Sequence, residues 1–139
     1  MEYNLQRFID AQNTCYDSAR DELARGVKTG HWMWFMFPQL KGLGKSSNSN
    51  YYGLSGLDEA KAYFDNPILK QRLIELCEIL LFRGCDDPRF IFGGIDVKKL
   101  KSSMTIFYLA TNEQIFMDVL KQYYGGELDQ KTIDLLNNK

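Results

Sequence analysis

The sequence predicts an all-α fold, a single domain of about six or seven helices over residues 1–139. Apolar residues recur at steps of three and four along most of the chain, which is the spacing of one helix face. Capping residues and glycines stand at the ends of these segments. No run of β-branched residues alternates with polar residues as a strand requires. Hydrophobic residues make up 45% and charged residues 25% of the chain, which is typical of a globular domain.

The balance of charge argues against a general attraction to polyanions. The chain has 17 basic and 18 acidic residues and a net charge of −1, so no bulk field favours nucleic acid or an anionic membrane. No apolar stretch approaches the ~20 residues that a bilayer span requires. Neither nucleic acid nor a membrane is therefore expected as a partner, and protein partners are left open.

The three cysteines, Cys15, Cys77 and Cys85, form no CxxC pair. Cys15 and Cys77 fall on apolar helix faces, where a free cysteine behaves as a small hydrophobic residue. We expect all three to be reduced thiols. The first residues are polar and acidic, unlike the basic start of a signal peptide. A cytoplasmic protein is expected.

The first helix is predicted over residues 5–23, with Asn4 as its N-cap and Gly26 as the left-handed residue that ends it. Next comes the aromatic segment, defined here as residues 31–39, His31-Trp-Met-Trp-Phe-Met-Phe-Pro-Gln39. A helix over residues 31–36 must end there, because Pro38 disfavours helical geometry in the residue before it. Residues 41–50 are rich in Gly, Ser, Asn and Lys and predict a loop.

In the middle of the chain, a capping-box pattern at residues 55–58 predicts a helix through Phe64. Asn66 followed by Pro67 predicts the start of the next helix, which ends at Gly84.

A short turn is predicted over residues 87–92. Asp96 is expected to cap a helix that is central to the fold, since its apolar face is broad. Asn112 is expected to cap the following helix, which Gly125 ends, and Asp129 to cap the last one.

The aromatic segment is the first candidate for function. A helix that is apolar all round is usually buried core, and that interpretation stays open. However, Trp32 and Trp34 each carry an N–H that needs a partner when buried. His31, the only histidine of the chain, is a candidate acid/base catalyst. These groups and Gln39 form the polar edges of the segment.

The loop from Gly42 to Ser47 is a second candidate. It contains Gly-Lys-Ser but lacks the first glycine of GxxxxGK[ST], and no strand precedes it, so a Walker loop is not indicated. Glycine N–H groups, Lys45 and the capping hydroxyl of Ser46 can nevertheless hold an anion. The alternative is a solvated loop.

A lysine cluster at the start of the predicted central helix is the third candidate. Lys98, Lys99 and Lys101 oppose the helix dipole there, which indicates either solvated charges or an anionic ligand. Ser103 lies on the inward face, so its hydroxyl must line a polar pocket or bond within the helix.

Metal chemistry is not indicated, since the chain has one histidine and no paired cysteines. No cofactor is expected. No nucleophile-elbow spacing supports a serine hydrolase.

Motifs along nearly the whole chain resemble one known family. They are Leu5-Gln-Arg-Phe8 with Ala11-Gln12, the aromatic segment, Gly42-Leu-Gly44 with Ser46, Tyr51, Glu59-Ala60, Tyr63, Pro67 with Leu69, Arg72-Leu73, Phe92-Gly93, Asp96, Lys99-Leu100, Ser102-Ser-Met-Thr105 with Phe107, and Gly125-Gly126. The chain resembles the domain-of-unknown-function 1810 (DUF1810) family, small helical proteins of mainly bacterial origin.

The resemblance implies a right-handed array of helices and no established activity. Family members often carry the transferred label "calpastatin", which does not fit a globular composition because inhibitors of that kind are disordered. The resemblance adds weight to residues that are not obvious core, and the residues expected to bind a ligand are Trp32, Trp34, Gln39, Lys45, Ser46, Tyr51, Lys99, Ser102 and Ser103.

Three functions follow as hypotheses. The first is binding of a small anionic ligand, phosphate-bearing or nucleotide-like, in a cleft beside the aromatic segment, with His31 as the catalytic residue if a reaction occurs. The second is a non-catalytic interaction module in which the aromatic segment only builds the core. The third is an ADP-ribose-processing hydrolase, by analogy with other small helical proteins.

Overall fold

The structure, a computed structural model, describes residues 3–84 and 87–138. Within them lie eight helices: α1 (Gln6–Arg25), α2 (Met33–Met36), α3 (Ser47–Tyr52), α4 (Leu57–Asp65), α5 (Pro67–Arg83), α6 (Arg89–Thr111), α7 (Gln114–Tyr124) and α8 (Gln130–Asn137). The prediction of an all-α fold is confirmed, with eight helices in place of six or seven. The additional helix is α3, which lies where a loop was predicted. Ser46 caps it by accepting a hydrogen bond from Ser49 N at 3.1 Å.

Helix α6 is the centre of the fold, as predicted. It packs most extensively against α4 and α7 and also contacts α8. Residues 102–107 are buried on every side of the helix. Helix α5 packs against α1, α4 and α7, while α2 lies between α1 and α3. The polar residues in the buried turn of α6 must therefore find partners inside the protein.

The start of α6 differs from the prediction. Asp96 is not an N-cap: the turn predicted over residues 87–92 and the following helix join into one element, Arg89–Thr111. Gly93 interrupts it with φ 77° and ψ 179°, a conformation that only glycine adopts without strain. The helix therefore kinks at Gly93, and Asp96 lies inside it, near the start of the long second part.

Three other predicted N-caps are also wrong. Helix α1 begins after Leu5, with no side-chain cap from Asn4. Helix α4 begins after Gly56, where Glu59 reaches back to accept a hydrogen bond from the backbone N of Ser55. Asn112 ends α6 in the left-handed conformation, φ 60°, instead of starting α7, because asparagine tolerates that region better than most residues.

The remaining end signals are confirmed. Asn66 Oδ1 accepts hydrogen bonds from the N–H groups of Ile68 and Leu69, and Pro67 occupies the first turn of α5. Asp129 caps α8 through Thr132 N at 3.0 Å. Left-handed glycines, as predicted, end three helices, at positions 26, 84 and 125.

Two of the three predicted free thiols lie in the described part of the chain. Cys15 is half-buried and free, and Cys77 is buried and free; Cys85 lies outside the described residues. Over the same described part, no helix combines the length and apolar character needed to cross a membrane.

The cap at Asn66 gives a direct stability test. Asn66→Ala removes the acceptor of two backbone N–H groups at the start of α5, so the free energy of unfolding should fall by about 1 kcal/mol. Urea denaturation measures the change. The matched control, Asn137→Ala, alters an exposed asparagine in α8 and should leave stability unchanged or slightly higher; equal losses in both variants would contradict the assignment.

Candidate functional site

The aromatic segment is only partly helical and mostly core. Helix α2 is limited to Met33–Met36, because Trp32 and Phe37 have φ near −121° and −128°, outside the helical range, and Pro38 follows. Trp32 is 2% exposed, and Met33, Met36 and Phe37 are buried as well. Trp34 keeps partial exposure and His31 is exposed. The polar edge of the segment therefore lies at these two residues and at Gln39.

A buried carboxylate holds the start of the aromatic segment. Glu22, in α1, accepts hydrogen bonds at Oε1 from Thr29 N (2.6 Å), Gly30 N (2.7 Å) and Trp32 Nε1 (3.0 Å). Gly30 lies so close to the indole that a Cβ there would be 2.8 Å from Trp32 Cδ1. Burial by itself raises the pKa of Glu22, but the three N–H donors outweigh it, and the pKa lies below its usual value.

A second carboxylate joins α6 to the loop before the aromatic segment. Asp96 lies 2.7 Å from Lys28 Nζ and 3.2 Å from Lys99 Nζ. Lys28 is well buried, with 7% of its side chain exposed, and its ammonium also bonds the carbonyl of Gly30. Burial raises the pKa of Asp96, and the two ammonium groups more than reverse this, so the pKa lies below its usual value. One half-buried carboxylate is shared by two cations, which leaves the trio with a net positive charge.

Lys99 is the cation that faces outward from this trio. Its Nζ lies 4.8 Å from the centre of the Trp34 ring, a cation–π contact. Lys99 also lines two surface grooves, which meet at this residue and at Ile95.

The first groove is called the lysine groove. It has a volume of about 460 Å³ and lies between α6, the start of α8 and the loop after the aromatic segment; its lining residues are Gln39, Leu43, Gly44, Ser49, Ile95, Lys98, Lys99, Lys101, Ser102, Glu127, Asp129, Gln130 and Lys131. Four of these residues are lysines. The volume falls within the range of small-molecule sites.

The second groove is called the histidine groove. It has a volume of about 420 Å³, and its lining residues are Lys28, Thr29, Gly30, His31, Met33, Trp34, Phe92, Gly93, Gly94, Ile95, Asp96 and Lys99. The kink at Gly93 forms one wall and the aromatic segment the other. Ile95, 80% exposed, lines both grooves.

Two short backbone contacts bring the predicted loop to the lysine groove. Lys41 N donates to Leu54 O at 2.7 Å, and Leu54 N donates to Gln39 O at 2.8 Å. These bonds close the chain between residues 40 and 54 around α3. As a result Gly44 and Ser49 line the groove, opposite the lysines of α6.

A polar pair connects the aromatic segment to α6 at the same place. The hydroxyl of Ser102 donates to Gln39 Oε1 at 2.6 Å and lies 3.1 Å from the carbonyl of Lys99. This bond engages the amide oxygen of Gln39 and leaves its NH2 group as a donor at the groove wall.

The structure brings together five of the residues singled out in the sequence: His31, Trp34, Gln39, Lys99 and Ser102 line the two grooves. The other five lie elsewhere. Trp32 and Ser103 are core residues. Lys45 and Ser46 are exposed beside the lysine groove without lining it, and Tyr51 is exposed at the end of α3, where its carbonyl accepts from Arg7.

Sequence reasoning missed several residues of this region. Neither Glu22 nor Lys28 belongs to any of the three candidate groups that the sequence indicates. Lys131 and Ile95 reach the grooves through tertiary packing. One signal was available for Glu22: it is an acidic residue on the buried face of an amphipathic helix, and such residues are almost never buried unless paired. Among the described residues, no group of three or more His, Cys, Asp or Glu side chains is arranged to hold a metal ion.

Comparison with known proteins gives one family and one structural relative. The profile of the family described as "Protein of unknown function (DUF1810)" matches residues 2–136, which confirms the resemblance found in the sequence. The chain is 45% identical to the conserved hypothetical protein Rv1873 from Mycobacterium tuberculosis, whose crystal structure it matches with a TM-score of 0.94 over 97% of each chain. Among curated proteins none matches significantly.

Glu22 should be a strong determinant of stability. Glu22→Gln replaces a charged acceptor of three N–H donors, so the free energy of unfolding at neutral pH should fall by about 2–3 kcal/mol. The folded-state pKa of Glu22 is below its ordinary value of 4.5. Its stabilisation is therefore complete above pH 4.5 and is lost as the pH falls through the lower, folded-state pKa.

Chemical denaturation from pH 7 down to pH 3 measures this effect. The stability difference between the wild type and Glu22→Gln should shrink as the pH falls below 4.5. Glu78→Gln, at an exposed position of α5, is the control and should change little at any pH. A difference between wild type and Glu22→Gln that stays constant with pH would contradict the role given to the carboxylate.

Proposed function

This chain belongs to the DUF1810 family, and we propose that it binds a small phosphate-bearing ligand in the lysine groove. The observation that carries the proposal is the charge of that groove. Four lysines line it, and both of its carboxylates are already engaged: Glu127 pairs with Lys101, and Asp129 caps α8. Lys98 and Lys131 remain to face an anion, and Lys99, which shares Asp96 with Lys28, lies beside them.

Clustering these cations carries an electrostatic free-energy cost. That cost favours the interpretation as a ligand site over that as a solvated surface. Lys98, Lys99 and Lys101 lie within one turn of the helix that continues after Gly93, and like charges three residues apart on a helix repel each other. Lys98 and Lys131 are exposed and form no ion pair with any residue in the described ranges. A phosphate group between them would offset the repulsion between these unpaired charges.

Neutral hydrogen-bond donors in the groove wall complement the charge of the lysines with fixed geometry. The Gln39 amide is oriented by Ser102, and Ser49 lines the same wall of the groove. Oriented donors beside cations favour an oxyanion over a simple halide, because they supply fixed hydrogen bonds as well as charge. Ile95, exposed at the junction of the grooves, offers an apolar surface for the rest of a nucleotide-like ligand.

His31 lines the histidine groove, which adjoins the lysine groove at Ile95 and Lys99. An acid/base role for it stays a prediction, as do the interaction module and the ADP-ribose-processing enzyme. We also expect the protein to act in the cytoplasm, and the free thiols of Cys15 and Cys77 support a reducing compartment.

The test is thermal stabilisation by a panel of phosphates. Inorganic phosphate, pyrophosphate, ribose 5-phosphate, AMP and ADP are compared with neutral adenosine and ribose. At least one phosphate should raise the melting temperature in a saturable way, since a ligand of the folded state stabilises it. The effect should weaken as salt rises.

The double variant Lys98→Ala with Lys131→Ala should weaken this binding roughly tenfold, because each exposed charge contact contributes up to about 1 kcal/mol. The matched control is Lys61→Ala with Lys70→Ala, which removes the same charge from exposed positions on α4 and α5. Equal losses in both double variants, or no stabilisation by any phosphate, would overturn the proposal; the second result would favour the interaction module.

A further inference from the structure

Trp34 carries a hydrogen-bond donor that the rest of the site does not use. Its indole nitrogen is shielded from solvent, and no described residue accepts a hydrogen bond from it. The indole nitrogen of Trp32, two residues earlier, donates a hydrogen bond to Glu22 Oε1 at 3.0 Å. A buried N–H without an acceptor is costly, and such groups are rare in native proteins. The two indoles of the chain are therefore in contrasting states.

A small cavity lies beside Trp34. It is called the indole cavity and has a volume of about 10 Å³; it is lined by Trp34, Gln39, Leu40, Gly44, Ser49, Tyr52 and Gly53. This space holds one atom the size of an oxygen. Three of its lining residues, Gln39, Gly44 and Ser49, also line the lysine groove. The cavity therefore adjoins the groove through a shared wall.

The neighbourhood of Trp34 favours an anionic acceptor. The Lys99 ammonium lies over the indole ring at 4.8 Å from its centre. A cation on the face of the ring draws electron density toward itself and makes the N–H at the ring edge a stronger donor. Hydrogen bonds from such a donor to a charged oxygen are stronger than those to a neutral one.

We propose that an anionic oxygen of the ligand, belonging to a phosphoryl group, enters the indole cavity and accepts a hydrogen bond from Trp34 Nε1. This inference rests on the proposed function, because the remainder of the phosphate-bearing ligand lies in the lysine groove. Gln39 and Ser49 stand at the shared wall and are the neighbouring donors for the same group. Trp34 thereby becomes a specificity residue for oxyanions.

The experiment observes the two indole N–H groups directly. The chain has two tryptophans, so protein labelled with ¹⁵N-tryptophan gives two indole signals by NMR, and Trp34→Phe assigns them by removing one. On titration with pyrophosphate, the Trp34 signal should move downfield in a saturable way, as expected for a new charged acceptor. The Trp32 signal, whose N–H already bonds Glu22, should stay in place and serves as the internal control.

Affinity provides the second readout. Trp34→Phe keeps an aromatic face for Lys99 but removes the N–H, so pyrophosphate should bind about tenfold more weakly or worse. Gly44→Ala keeps the indole but adds a methyl group against the Ser49 side chain in the wall of the cavity. This variant should abolish the downfield shift. If Trp34→Phe does not fold, Glu22→Gln moves the Trp32 signal and assigns both peaks.

The outcomes separate the two proposals. If pyrophosphate stabilises the protein while the Trp34 signal does not move, the indole inference is wrong and the lysine-groove function stands; the cavity then holds water. If Trp34→Phe binds pyrophosphate as tightly as wild type, the inference is also wrong. If pyrophosphate and the other phosphates neither stabilise the protein nor shift either signal, the proposed function fails and the indole inference fails with it.

Discussion

The candidate site depends on one shared carboxylate. Asp96 forms ion pairs with Lys28, from the loop after α1, and with Lys99, one helical turn further along α6. Without Asp96, two partly buried ammonium groups would repel each other, and no ion pair would compensate for their desolvation. With it, the loop before the aromatic segment is held to the kinked start of α6, and the Lys28 backbone N–H adds a bond to Ile91 O at 2.8 Å. The position of Trp34 against Lys99 follows from this junction.

The second constraint is the full burial of α6 between residues 102 and 107. A helix buried on all sides must place its polar side chains against partners. Ser102 meets Gln39, and Thr105 accepts a hydrogen bond from Asp129 N at 2.8 Å. Through these bonds the central helix orients the end of the aromatic segment and the start of α8, and the two walls of the lysine groove come to face each other. Ser103 is the exception: its hydroxyl is buried and has no partner among the described residues.

The residues of the aromatic segment divide by position into core residues and residues at the surface grooves. The residues that pack inward, Trp32, Met33, Met36 and Phe37, are almost fully buried, while His31, Trp34 and Gln39 stand at its edge. The same contrast divides its two tryptophans: the indole N–H of Trp32 bonds Glu22, whereas that of Trp34 has no acceptor among the described residues, and Trp34 lines a small cavity beside the lysine groove. A segment of nine residues therefore packs between the helices and also supplies part of the walls of the two grooves.

Local patterns in the sequence determined much of the fold. The periodicity of apolar residues predicted the long helices, and the cap at Asn66 and the left-handed glycines were correctly placed because each is decided by a few neighbouring residues. The sequence also singled out the aromatic segment and the lysine cluster, since a run of large apolar residues and a group of like charges are visible without a structure.

Tertiary structure decided the rest. The role of Asp96 changed from a cap to a bridge because two lysines distant from each other in the chain reach it. Ile95 and Lys131 line the lysine groove, and Lys45 and Tyr51 do not, because surface exposure and the direction of a side chain depend on how the helices pack. Sequence alone therefore determined which elements form and where charge and aromatic surface are concentrated. Which of those groups share a groove was set by packing, since contacts between distant segments leave no local pattern.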